Sequence, residues 1–278
     1  MTNTLLKLIC PICRQFLAIK SIEENMTCKC GFKAGHIETI PVLRQTNEDE
    51  KIDYRTTGSL PSIDTSTLGI EFISDALSGG GLVLELGAGD DACVRDNLIK
   101  TDAFIYSNNL NYVVDAHAMP FDDNTFDFVY SLAVFEHLHS PWLAAKEIFR
   151  VLKPGGKVFV LTAFMQHVHG YPSHYFNMTT MGLERIFSDF EIKSCQPSFH
   201  CPLEQIAYIL ADLNEMAQRL PENQSANLLS QSIKYFCESL PKVQDDLIKL
   251  EANFESFSRI APGIEIVAMK PITMASSK

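Results

Sequence analysis

A three-layer α/β fold, with a mostly parallel sheet and helices on both faces, is predicted by three features of the sequence. An apolar run at 82–86 enters a glycine turn, Gly87-Ala88-Gly89, as a buried strand followed by a tight loop does. Strand-like and helix-like patterns then alternate from about 65 to 195, which is the signature of parallel units joined by right-handed connections. Finally, K-P-G-G at 153–156 separates a helical pattern from another almost wholly apolar run. With 278 residues, the chain is long enough for one large domain or a medium domain with a small companion.

The small companion is predicted at residues 1–45. Cys10 and Cys13 form a C-x-x-C knuckle, 14 residues separate it from the next cysteine, and Cys28 and Cys30 form a C-x-C pair. Four thiolates gathered this way suit a tetrahedral structural zinc ion, and a segment this short has too little core to fold on burial alone. The C-x-C pair is one residue tighter than usual, so either it binds in a tight loop or His36 replaces one thiolate. The alternative is four reduced cysteines in a ribbon that holds no metal. No basic and apolar leader opens the sequence, which favours metal over disulfides and a cytoplasmic setting.

Residues 46–64, polar and broken by glycine and proline, read as a linker. The main domain is predicted at 65–278. Thr65 or Ser66 caps a helix to about 77, with Leu68, Phe72, Ile73 and Leu77 on one face. After the 82–86 strand and the glycine turn, a helix is predicted to about 100, then a second strand at 103–106. A third segment at 112–115 follows after five residues, too few for a parallel crossover, and is therefore expected to be irregular or antiparallel. A strand at 126–131 precedes Ser140-Pro141, an N-cap and first-turn proline for a helix ending near 152. A strand at 157–162 leads to a loop holding His167, His169, Tyr171, His174 and Tyr175. A short helix to 187, a strand at 190–195, a helical insertion at 203–260 and a last strand at 264–269 complete the sheet.

The net charge of -11 and the pI near 5.2, with no basic patch, argue against a nucleic-acid partner. No apolar run approaches the ~18 residues of a membrane span. G-A-G-D-D-A fits the dinucleotide-binding pattern literally, but Asp90 and Asp91 are poor neighbours for a pyrophosphate. S-adenosylmethionine has a cationic sulfonium and no phosphate, and it suits this turn better.

Five blocks in order carry a family resemblance: L-E-L-G-A-G at 84–89, D-A-H-A-M-P-F at 115–121, N-T-F-D-F-V-Y-S at 124–131, F-E-H-L at 135–138 and R-V-L-K-P-G-G at 150–156. In these the chain resembles the class I S-adenosylmethionine-dependent methyltransferases, type 11-like, over about 65–195. The resemblance implies a Rossmann-like methyltransferase sheet. It implies that Glu85, Gly87 and Gly89 cradle the methionine part of the cofactor, that Asp115 and Ala116 meet the adenine edge, and that Ser131 starts the loop beside the transferring methyl. Asp91 stands where many members have a third glycine. Asn108 or a neighbouring amide is assigned to the place of the acid that usually grips the ribose. The N-terminal segment, ending in I-P-V-L at 40–43, is similar to the zinc ribbons that precede some bacterial methyltransferases and to small methyltransferase activator proteins.

Methyl transfer needs alignment above all, and a hydroxyl acceptor also needs a base, for which histidine is the natural residue near neutral pH. His169, with Tyr171 and His174, is the candidate because its loop follows a strand at the sheet's carboxyl edge. His137 is the second candidate, with helix capping or packing as its alternative. Glu136, His137 and His139 lack the spacing of a metal-binding helical pair. The expected activity is methyl transfer to a small-molecule or glycan-precursor acceptor, with O-methylation favoured. A non-catalytic interaction module and an RNA methyltransferase are the alternatives.

Overall fold

The computed structural model describes residues 6–17, 26–46, 66–169, 173–198 and 261–272, with scattered positions between 209 and 239. Tyr171 and most of the predicted insertion lie outside the described residues. Strands β1 (Gly35–Ile37), β2 (Ile40–Val42), β3 (Val83–Leu86), β4 (Leu98–Asp102), β5 (Tyr112–Val113), β6 (Phe126–Leu132), β7 (Leu152–Ala163), β8 (Glu191–Ser198) and β9 (Gly263–Met269) form one sheet. Its order is β1-β2-β5-β4-β3-β6-β7-β9-β8. From β2 to β7 every neighbouring pair is parallel; β9 runs antiparallel between β7 and β8.

Helices α1 (Thr67–Ser78), α2 (Pro141–Val151) and α3 (Thr180–Ile186) cover the two faces. Side chains alternate along a strand, so Val83 and Leu84 lie on opposite faces. Val83, Leu98, Phe159 and Leu161 pack against Leu68, Phe72 and Ile73 of α1. Leu84, Val129, Val158 and Val160 share a core with Ala144, Ile148 and Val151 of α2 and Leu183 of α3. Ser66 caps α1 by accepting from the Gly69 N–H at 3.1 Å, as expected. Ser140 precedes α2 but makes no cap; its hydroxyl meets His139 Nδ1 at 2.9 Å instead.

Three expectations between β3 and β5 need correction. No helix follows the glycine turn: only residues 87–97 separate β3 from β4, and they run as turns and irregular backbone. The Asp91 carboxylate accepts from the Cys93 N–H at 3.1 Å, a local turn that competes with helix formation. The second strand is 98–102 rather than 103–106, and Lys100, read as a helix end, is buried in it. The 112–115 segment does supply a parallel neighbour, β5, joined to β4 by nine residues without a helix.

The cysteine-rich segment docks against this helix-poor part of the sheet. Val42 of β2 pairs with Val113 of β5, and Leu8, Cys10, Leu17, Met26 and Phe32 join the same core as Tyr112, Val114 and Phe121. Arg14, at φ 63°, donates to Glu147 Oε2 of α2 at 2.8 Å and to the Met119 carbonyl at 3.1 Å. The buried Glu147 carboxylate also accepts from Met119 N and from Arg150. These charge-assisted bonds hold the positive φ at Arg14, which a non-glycine residue adopts at a cost.

Candidate active site

The parallel strands β3, β4, β5 and β6 end together, and α/β proteins bind ligands at this carboxyl edge. Gly87 and Gly89 both have positive φ, 80° and 55°. The turn's amides are taken: Gly87 N and Ala88 N donate to the Thr101 carbonyl at 2.8 and 3.0 Å, and Gly89 N to Asp102 Oδ2 at 3.0 Å. A Cβ at Gly87 would lie 2.1 Å from Val134 Cγ2, whereas one at Gly89 would meet nothing within 4 Å. Space for a ligand therefore opens at Gly89, and Val134 fills the hollow at Gly87.

Acidic groups stand on the neighbouring strands, and one of them, Asp102, touches the turn. Asp102 closes β4 and also accepts from the Phe104 N–H at 3.0 Å. Asp115, just past β5, accepts from the His117 N–H at 2.8 Å and meets its Nδ1 at 2.7 Å. Burial pushes the Asp115 carboxyl up, but His117 and the charge of Arg44 outweigh it and hold it below the ordinary carboxylate value. Glu85 is buried in β3, and its Oε2 has no hydrogen-bond partner. Burial first, and then Asp91 and Asp102, push its carboxyl up to about 7 against the opposing effects of Lys100 and the Tyr130 hydroxyl. Lys100, itself buried, is occupied by the Asp91 carbonyl and carboxylate. Ser131 at the end of β6 is fully buried, its hydroxyl donating to the Leu86 carbonyl at 2.9 Å. Asn108 lies exposed in the loop between β4 and β5.

Beyond β6, Ala133 at φ 52° turns the chain into a 3-10 helix, Phe135–His137, and this sets Val134 on Gly87. Glu136 is 1% exposed; its Oε2 accepts from Thr162 Oγ1 at 2.9 Å. The rings of His137 and His169 stand 5.4 Å apart, and His174 lies 4.4 Å from His169 and 5.8 Å from His137. Burial holds the His169 imidazole below its ordinary value, with His174 and His137 adding to the effect against the His167 carbonyl and Glu136. His139 instead stacks on His117 at 4.1 Å.

At the N-terminal segment, Cys10, Cys13, Cys28 and Cys30 converge, and His36 is not in the group. Cys10 Sγ and Cys30 Sγ are 3.6 Å apart, and Cys13 Sγ and Cys28 Sγ 3.3 Å. A tetrahedral ion with metal–sulfur bonds of about 2.3 Å has edges of about 3.8 Å, so these two pairs need spread by only a few tenths of an ångström to match a zinc centre. The tight C-x-C pair is accommodated by Gly31, whose φ of 99° lets the chain turn at once after Cys30. The Cys30 backbone N–H, aided by the Cys13 thiol, brings Cys28 down to about 7.

Residues 91–160, from the end of the glycine turn into β7, match the family model described as a methyltransferase domain. Over this stretch, about a quarter of its length, the chain is similar to a methyltransferase domain. Over 99 residues it is 34% identical to a ubiquinone/menaquinone biosynthesis C-methyltransferase of Roseobacter denitrificans, covering 35% of this chain and 38% of that protein. Over 63 residues it is 43% identical to a sterol 24-C-methyltransferase of Schizosaccharomyces pombe, covering 23% of this chain and 15% of that one. The matched region is thus well under half the length of either relative.

Glu85, Gly87, Gly89, Asp115, Ala116 and Ser131 lie in or directly after the parallel strands β3, β5 and β6. Asn108 is the exception: the acid that ends the second strand is Asp102. The sequence signal for it was N-L-I-K-T-D, a strand broken only by a lysine that turns out to be buried and paired. Glu136 and His137 were weighed together with His139 and set aside on spacing; the structure groups them with His169 instead, and the loop that brings His169 across is not readable from spacing. Among the described residues no helix is long and apolar enough to cross a membrane.

Proposed function

We propose that this chain transfers a methyl group from S-adenosylmethionine to a hydroxyl of a small-molecule or glycan-precursor acceptor in the cytoplasm. The observation that carries this reading is the glycine turn with its amides already bonded and two carboxylates, Asp102 and Asp115, on the neighbouring strand ends. Such a mouth offers few donors to a phosphate and suits a cationic ligand rich in hydroxyls. S-adenosylmethionine, when bound, supplies a methyl carbon activated by its sulfonium. Gly87, Gly89 and Glu85 border the methionine part, Asp102 takes the ribose hydroxyls in place of Asn108, and Asp115 and Ala116 border the adenine. Ser131 fixes the end of β6 to the turn through the Leu86 carbonyl, which keeps donor and acceptor sides in register.

The acceptor side is the cluster of Glu136, His137 and His169, which follows directly on the Val134–Gly87 contact. There the acceptor hydroxyl is aligned: its oxygen would take the methyl as the methyl–sulfur bond breaks, and its proton would leave to solvent. Tyr171 belongs to the same loop in sequence. An acid at the end of β4, Asp102, supports this reading over the non-catalytic interaction module. C-methylation is the second reading, favoured by the names of the relatives. We propose further that Cys10, Cys13, Cys28 and Cys30 hold a structural zinc ion.

Calorimetric titration tests the cofactor reading. S-adenosylmethionine and S-adenosylhomocysteine should both bind and NADH should not; binding of NADH alone, or of none of the three, would sink it. Incubation with a methyl-deuterated donor and hydroxylated acceptors, read by fragment mass, then separates O- from C-methylation.

A further inference from the structure

We propose that Glu136, His137 and His169 form a second metal centre, for a divalent transition cation, separate from the cysteine cluster. One ligand atom from each of the three lies within 4.8 Å of the other two. Glu136 is 1% exposed, and its Oε1 is buried without a hydrogen-bond partner while Oε2 is fixed by Thr162. An unpaired carboxylate oxygen in that setting is costly, and a cation removes the cost.

The two histidines are set for the same ligand. His137 Nδ1 is 2.5 Å from the Ser173 carbonyl, and His169 Nδ1 is 2.9 Å from the His167 carbonyl. A carbonyl oxygen only accepts, so each Nδ1 carries its proton and each Nε2 keeps its lone pair. Metal-bound histidines characteristically donate their other ring N–H to such a carbonyl, which fixes both tautomer and ring orientation. His174 is occupied differently: its Nδ1 accepts from the His169 N–H at 3.2 Å, and its Nε2 donates to Asn177 Oδ1 at 3.1 Å. It forms a wall of the site and contributes no ligand.

Two imidazoles and one carboxylate suit zinc, ferrous iron or manganese better than calcium or magnesium, which prefer oxygen alone. Three protein ligands also leave positions open. The centre itself does not depend on the methyl-transfer reading, but the use of its open position does: there the cation would bind the acceptor's oxygen. The hydroxyl proton would then leave to solvent, and neither imidazole would be needed as a base.

Cobalt(II), added to the full-length protein freed of metal, distinguishes the two centres, since thiolate ligation gives a sulfur-to-cobalt charge-transfer band and a histidine–carboxylate site does not. We expect two cobalt ions per chain, only one of them with that band. Glu136→Gln and His137→Ala should each remove the ion without the band and leave the other, with the circular dichroism unchanged. If His137→Ala unfolds, His169→Ala, on a partly exposed loop, should lose the same ion. Binding of only the thiolate-held ion, or stoichiometry unchanged in Glu136→Gln, would overturn the proposal. S-adenosylmethionine titration of the same samples reads the methyl-transfer proposal independently.

Discussion

Asp102 binds the Gly89 N–H with one carboxylate oxygen and the Phe104 N–H with the other, so a single side chain joins the end of β4 to the glycine turn. Asp102→Asn keeps the volume but removes the charge that faces the proposed ribose site. Hydrogen bonds to charged groups contribute about 1.5–3 kcal/mol, so S-adenosylmethionine affinity should fall about 10- to 100-fold. Asn108→Ala, in the exposed loop, should change it by less than about twofold; the reverse ranking by calorimetry would restore the amide to the ribose role. Glu85 makes a different kind of prediction. Its carboxyl rises from 4.5 to about 7 on folding, mainly through burial. Between those values the folded chain holds a proton that the unfolded chain has lost, so stability should fall as pH rises from about 4.5 to 7. Glu85→Gln, neutral at every pH, should flatten that slope and gain up to about 3 kcal/mol at pH 8. Urea melts across this range check it, and an unchanged slope in the variant would assign the pH dependence elsewhere.

At the scale of elements, the sequence is legible where periodicity and punctuation agree. α1 was bounded by Ser66 and three glycines, and α2 by Pro141 and K-P-G-G, and both formed where the pattern placed them. Between Gly89 and Tyr112 the same rules failed. A buried lysine inside β4 looked like a helix end, and two helix-free parallel connections violate the spacing that a crossover normally needs. The ion pair to Asp91 that makes Lys100 tolerable in a strand joins residues nine apart, and no local pattern announces it. The candidate site followed suit: the positions of Glu85, Gly87, Gly89 and Ser131 on strands and turns were readable, whereas the place of Asp102 and the meeting of Glu136 with His169 depended on where the chain turned. The glycine turn offers an element-level test. At Gly87, alanine would have to hold φ 80° with its Cβ 2.1 Å from Val134 Cγ2. Gly87→Ala should lose about 2–4 kcal/mol in chemical denaturation. Adding Val134→Ala should recover the steric part and leave about 1–2 kcal/mol for the left-handed backbone. Complete recovery would mean that only the clash mattered.

For the molecule as a whole, the cysteine segment is a structural part of the sheet. It adds β1 and β2 at one edge, contributes Leu8, Phe32 and Leu43 to the main core, and is clasped by Glu147 of α2 through Arg14. It packs in one core with Ile99 of β4, Tyr112 of β5 and the buried face of α2. If zinc holds the four thiolates, its removal therefore cannot stay local. Loss of the ion would free β2 from β5 and expose the apolar side chains beneath, so the whole sheet should weaken in one cooperative step. Structural zinc contributes on the order of 10–16 kcal/mol in isolated fingers; even a third of that, in a protein of this size, lowers the midpoint by about 10 °C or more. Scanning calorimetry of the zinc-bound protein and of protein stripped by a chelator should each show a single transition, the second well below the first. A Cys10→Ser/Cys13→Ser variant should match the stripped form and no longer respond to chelator. Two separate transitions in the zinc-bound protein, with the higher one indifferent to metal, would mean that ribbon and sheet unfold independently. The shared core and the Arg14–Glu147 clasp would then contribute little to the cooperativity of the fold.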